Sequence, residues 1–63
     1  MSIYDVYRTM VVDGQKKEEW LGDFEAPNTT VAYHMAAKHN GYASLAHMQN
    51  KEPGVYIAEE RRN

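Results

Sequence analysis

Seven of the ten residues from Ile3 to Val12 are β-branched or aromatic: Ile3, Tyr4, Val6, Tyr7, Thr9, Val11 and Val12. Such side chains crowd the preceding turn of a helix and pack well on a pleated surface, so the chain is expected to begin with a strand. Asp13-Gly14 comes immediately after. Glycine accepts positive φ without steric cost and aspartate tolerates it, which marks the pair as a turn. The charged stretch Gln15 to Glu19 reads as the remainder of a longer, solvated hairpin loop. Glu19 to Glu25 then alternates as a second strand, with Trp20 and Phe24 expected on one face.

Pro27 cannot donate to a sheet ladder, so the second strand should end there, and Asn28 or Thr29 offers a side-chain oxygen to cap the next element. Thr30 to Asn40 reads as a helix whose buried stripe is Ala32, Met35, Ala36 and His39, at i, i+3, i+4 and i+7. Gly41 suits the left-handed position after the helix, and Lys38 and His39 place cations in its last turn. Tyr42 to Gln49 is compatible with helix or strand; a short second helix capped by Ser44 suits the Leu45 and Met48 spacing better. Asn50-Lys51-Glu52-Pro53-Gly54 is a loop on its turn chemistry. Val55 to Glu59 makes a third strand, and the charged tail Glu60-Arg61-Arg62-Asn63 is expected to fray.

These elements make a single α+β domain over residues 1–63: a small ββα(α)β unit, its three-stranded antiparallel sheet covered on one face by the main helix. At this length a domain buries only about 60% of its unfolded surface, and the chain has no cysteine to staple it. Self-association is a natural supplement for so small a core. The uncovered sheet face and the two sheet edges, in a chain with five Tyr, one Trp and one Phe, are where contacts with other molecules are expected.

The formal net charge of −2 gives nucleic acid no long-range attraction. Residues 1–25 carry Arg8, Lys16 and Lys17 against Asp5, Asp13, Glu18, Glu19, Asp23 and Glu25, a balance of −3, and residues 26–63 a balance of +1. The N-terminus lacks the basic start and apolar run of a signal peptide, and no segment approaches the roughly 20 apolar residues that span a bilayer. A cytoplasmic protein with no membrane contact is the expectation.

Chemistry-bearing constellations are sparse. His34 and His39 are five apart, about 140° apart around a helix, and His47 lies on another element, so no metal is expected. Glu18-Glu19 and Glu59-Glu60 are strand neighbours that point to opposite faces, the wrong geometry for a shared catalytic site. Ser44 has His47 three residues on, but nothing orients that imidazole as a base. A chain of this size also lacks walls for a pocket of about 300 Å³ unless two copies build it. No cofactor and no independent enzyme activity are expected.

The stretches Tyr4-Asp5-Val6-Tyr7 and Leu21-Gly22-Asp23-Phe24-Glu25-Ala26-Pro27, with a helix containing Ala32, resemble the opening half of the small accessory subunit of bacterial phenylacetyl-CoA epoxidase. The resemblance covers about half of the chain, implies a minor subunit of a multi-component enzyme, and transfers no residue role. The order of elements is similar to that of very small bacteriophage proteins that bind and inhibit host enzymes, including an inhibitor of bacterial RNA polymerase. That likeness is of architecture without a shared motif, and fold does not carry function.

The functional expectation is therefore a non-catalytic interaction domain that docks on a protein partner and self-associates, in the context of a phage or mobile element. Tyr4, Tyr7, Trp20 and Tyr56 are the expected contact residues, because aromatic anchors bury much area at low entropic cost. The alternative from another class is a nucleic-acid-binding regulator that stacks bases on Tyr4, Tyr7 and Tyr56 and uses the Arg61-Arg62 tail.

Overall fold

The computed structural model describes residues 1–61, so Arg62 and Asn63, half of the tail expected to fray, lie outside the described residues. In chain order the elements are β1 (Ser2–Val12), β2 (Gln15–Ala26), α1 (Thr29–His39), α2 (Leu45–Lys51) and β3 (Val55–Glu60). Both neighbours of the central strand run antiparallel to it, in the order β2-β1-β3. This is the ββααβ arrangement expected from the sequence.

The hairpin between β1 and β2 is tighter than expected. Asp13 (φ 52°) and Gly14 (φ 79°) form the whole connection, and Val12 lies opposite Gln15. Two consecutive positive φ values match the right-handed twist of the flanking strands, which is why Asp-Gly serves in two-residue turns. The residues from Gln15 to Glu19 are thus ladder, not loop. Their charged side chains misled because a two-stranded arm with both faces in water needs no apolar residues, only backbone pairing.

A bulge separates Trp20 from Phe24. Val6 lies opposite Gly22 and Tyr7 opposite Trp20, leaving Leu21 as the extra residue. Downstream of it, Phe24 and Ala26 join the face of Tyr4 and Val6; upstream, Trp20 stands on the opposite face with Tyr7. Gly22 sits at φ 126°, and a Cβ there would come within 2.9 Å of the Phe24 ring, so only glycine lets the ring lie flat along the strand. A strict two-residue alternation had put Trp20 and Phe24 together, and the extra residue reverses that.

α1 is capped by Asn28, whose side-chain oxygen accepts the Val31 N–H at 2.9 Å. It ends at Gly41 (φ 89°), where Tyr42 N–H donates to the Ala37 carbonyl at 2.9 Å. Its buried residues are Ala32, Ala36 and Ala37, whereas Met35 and His39 of the expected stripe are exposed. The helix has turned slightly about its axis to set three methyl groups on the sheet. Small side chains there allow close approach to Tyr4, Val6, Leu21 and Ala26, which with Met48 of α2 complete the core.

α2 exists as the shorter reading of Tyr42 to Gln49 proposed, with Ser44 Oγ accepting the His47 N–H at 3.1 Å. Arg8, on the helix-covered face, ties the loop after α2 to the sheet: its Nη1 donates to the Pro53 carbonyl (3.0 Å) and its Nε to Glu19 (3.2 Å). Tyr42 donates to Glu52 and Tyr56 to the Glu52 carbonyl. Glu60 and Arg61, the described half of the tail, continue the β1–β3 pairing. Glu60 pairs with Tyr4, and Arg61 N–H donates to the Ile3 carbonyl at 2.7 Å.

Candidate interaction surface

Alternation along β1 divides the sheet into two faces. Tyr4, Val6 and Arg8 face the helices, while Ile3, Asp5, Tyr7, Thr9 and Val11 face away, and the pairing register carries that division to both neighbours. Trp20 and Ile57 flank Tyr7, and Val55 flanks Thr9. The result is an apolar strip across all three strands: Trp20, Tyr7, Ile57, Val55 and Val11. Trp20 is 59% exposed, Val55 63% and Val11 73%. Among the described residues no element covers this face.

Toward one end the strip gives way to charge. Asp5, Asp23 and Glu59 stand side by side on adjacent strands, with Glu25 beyond them. Arg61 reaches across the sheet into this group, with Nη2 2.5 Å from Asp5 and 2.8 Å from Asp23. Hydrogen bonds to Asp5 and then Asp23 raise the Arg61 pKa further above its ordinary value. Glu18 and Lys16 border the other end. Across the face, five carboxylates meet two cations, so the surface is apolar at its centre and acidic overall.

The four expected contact residues do not come together. Tyr7 and Trp20 are opposed on the open face. Tyr4 is only 8% exposed and belongs to the core beneath α1. Tyr56 is half-buried on the helix side, donating to the Glu52 carbonyl; burial raises its pKa above the ordinary tyrosine value. The correction has a simple cause. Both faces of β1 carry large apolar side chains, so composition cannot say which one the helix takes. The same division parts the residues of the alternative base-stacking platform: Tyr4 and Tyr56 stand on the opposite side of the sheet from Tyr7, and Arg61 is held by two carboxylates.

Val11, Val55 and Ile57 were not anticipated as surface residues. The signal for them is parity: once Tyr7 is placed on the open face, the pairing of Tyr7 with Ile57 and Thr9 with Val55 brings them there. The signal is usable only when the strand register is known.

The residues weighed for chemistry have other occupations. Ser44 Oγ caps α2, and His47 Nδ1 accepts the Ala43 N–H at 3.2 Å, so the imidazole turns back to its own helix entrance. His39 packs edge-on against Phe24, with ring centroids 5.6 Å apart, and His34 is exposed on α1. Tyr42 has its pKa raised by its hydrogen bond to Glu52 and, secondarily, by burial. Glu52, which accepts that bond, also pairs with Arg8 of β1 at 3.7 Å. Among the described residues no group of three or more His, Asp or Glu stands where it could hold a metal ion, and no helix is long and apolar enough to cross a membrane.

Comparison with protein families, with curated proteins and with solved structures finds no match to this chain, and neither resemblance drawn from the sequence gains support there.

Proposed function

We propose that this chain is a small non-catalytic interaction domain that docks on a protein partner through the uncovered face of its sheet. The observation that carries the reading is the continuous strip Trp20, Tyr7, Ile57, Val55 and Val11, large apolar side chains held on rigid strands and left in water. Strand residues present such a surface with little entropy left to lose on binding, and an exposed apolar strip on so small a domain is costly unless something covers it. Tyr7 and Trp20 serve as the aromatic anchors. Tyr4 and Tyr56 support the face from beneath.

The wider setting we propose is a cytoplasmic accessory protein of a phage or mobile element acting on a host protein, a reading that rests on size and element order. An accessory subunit of a multi-component enzyme would use the same face in the same way. The test is affinity capture from native lysate with the wild-type chain and with Trp20→Ser/Ile57→Ser, each checked for fold by circular dichroism. The expected result is a stoichiometric protein that stays bound at high salt and is lost with the double variant. Recovery of nucleic acid that leaves at high salt would overturn the reading in favour of a phosphate-driven binder. A protein retained equally by the folded double variant would move the site elsewhere.

A further inference from the structure

The two outer edges of the sheet are finished differently. Ile3 and Arg61 are opposed and joined by a backbone hydrogen bond, so the odd-numbered residues of β1 turn their N–H and C=O groups toward β3 and the even-numbered ones toward β2. Tyr56 and Ala58 consequently aim theirs away from the sheet. Tyr33 of α1 meets both: its hydroxyl accepts the Ala58 N–H at 2.9 Å and donates to the Tyr56 carbonyl at 3.2 Å. One side chain fills the middle of the β3 edge and closes it to an added strand.

The β2 edge has no such cover over its first half. Gln15, Lys17 and Glu19 lie opposite even-numbered residues of β1 and bond inward, which leaves the backbone groups of Lys16 and Glu18 facing out. Asn40 Nδ2 donates to the Leu21 carbonyl at 3.4 Å, at the bulge. Between the turn and Trp20, among the described residues, no side chain meets the outward groups.

We propose that this free stretch, Gln15 to Trp20, pairs antiparallel with the same stretch of a second copy, giving a two-fold dimer with one continuous six-stranded sheet. Charged residues at an edge discourage indiscriminate pairing, and here their order selects the partner. The run is Lys16-Lys17-Glu18-Glu19, neutral as a whole, with its cations before its anions. A parallel copy would set Lys against Lys. An antiparallel copy sets the Lys half against the Glu half. With the two-fold at Glu18, Lys17 opposes Glu19 of the partner subunit twice and Lys16 lies over Trp20 of the partner subunit twice, leaving Glu18 against itself as the one like-charged pair. Stacking the open faces would instead bring two net-negative surfaces together. Edge pairing sends the Asp5, Asp23 and Glu59 ends to opposite extremes of the dimer and lays the two apolar strips side by side. The proposal does not depend on whether that face docks a partner.

The test is sedimentation of the full chain across a wide concentration range, with variants checked for fold by circular dichroism. The wild type should show a monomer–dimer equilibrium. Glu18→Pro removes an outward N–H without touching the β1–β2 ladder and should leave a folded monomer. Lys17→Glu or Glu19→Lys makes both of the opposite-charge pairs like-charged in a homodimer, and mixing the two variants makes both opposite again. Each alone should weaken dimerisation about tenfold or more, and an equimolar mixture should recover it as a heterodimer. Amide exchange at Lys16 and Glu18 should slow as concentration rises, with no change at Ala58. A wild type that remains monomeric at the highest concentration overturns the proposal. So does a dimer indifferent to both charge variants, or one whose concentration-dependent protection falls on residues outside β2.

Discussion

The two faces of β1 are made from nearly the same kinds of residue and have opposite fates. Tyr4 and Val6 on one side are sealed under Ala32, Ala36, Ala37 and Met48, while Tyr7 and Val11 on the other have strand neighbours such as Trp20, Ile57 and Val55 beside them and, among the described residues, no helix above. The covered face determines whether the chain folds; the open face adds little to that and has apolar area left for another molecule. If the distinction is sound, substitutions of equal chemical size should divide cleanly by face.

The largest expected effect is at Met48, which is 1% exposed and, with Val6, is among the largest fully buried side chains. Met48→Ala removes packing that α1 and the sheet cannot easily collapse to replace. A loss of about 2–4 kcal/mol in unfolding free energy is expected, measured by urea denaturation. In a domain whose whole stability is on the order of 5 kcal/mol, that leaves little margin. A loss below about 1 kcal/mol would mean that α2 is dispensable to the covered face.

Next is Gly22, where the faces are exchanged. Gly22→Val must hold a β-branched residue at φ 126° and drive its Cβ against the Phe24 ring. A destabilisation of about 1–3 kcal/mol is expected, with His39 resonances shifted because Phe24 is its ring neighbour. An unperturbed variant would show that the bulge at Leu21 is not what turns Trp20 outward.

This bulge also marks where the sequence stops being legible. The element order, the Asn28 and Gly41 boundaries and the Ser44 cap each come from a residue with a local preference strong enough to act alone. The hairpin arm and the face assignment do not. Lys16 to Glu19 pair through backbone groups that carry no side-chain signature, and the bulge is specified by the contact of Gly22 with Phe24, a tertiary fact. Trp20 and Tyr7 were recognisable as contact candidates by type. Tyr4 was indistinguishable from them until the register showed it under the helix.

A smaller effect is expected from the cap of α1. Asn28→Ala leaves the Val31 N–H without its acceptor and should cost about 1 kcal/mol, seen as faster amide exchange through the first turn.

Alkaline pH should act more gently still, through two tyrosines of the covered side. Tyr42 and Tyr56 both have pKa values raised in the folded state, the first chiefly by its bond to Glu52 and the second by burial. A raised folded pKa means that the unfolded chain releases these protons first. Their contribution is therefore complete below about pH 10, the unfolded tyrosine value, and is lost as pH rises through the folded values. Denaturation midpoints should hold level to that point and then fall. Tyr42→Phe should make the fall shallower.

The smallest stability effect should come from the most conspicuous residue. Trp20 is 59% exposed and stands opposite Tyr7 on the bare face, so replacing it removes little that the folded chain buries. Trp20→Ser should change the unfolding free energy by about 0.5 kcal/mol or less, against several times that for Met48→Ala. The same variant should be the most damaging to partner capture, since a large exposed aromatic anchor is where binding energy concentrates. The pairing of these two numbers is what tests the division between faces. A Trp20→Ser chain that loses stability as Met48→Ala does would place Trp20 in the core despite its exposure, and the open face would then be part of the fold instead of a surface for another molecule.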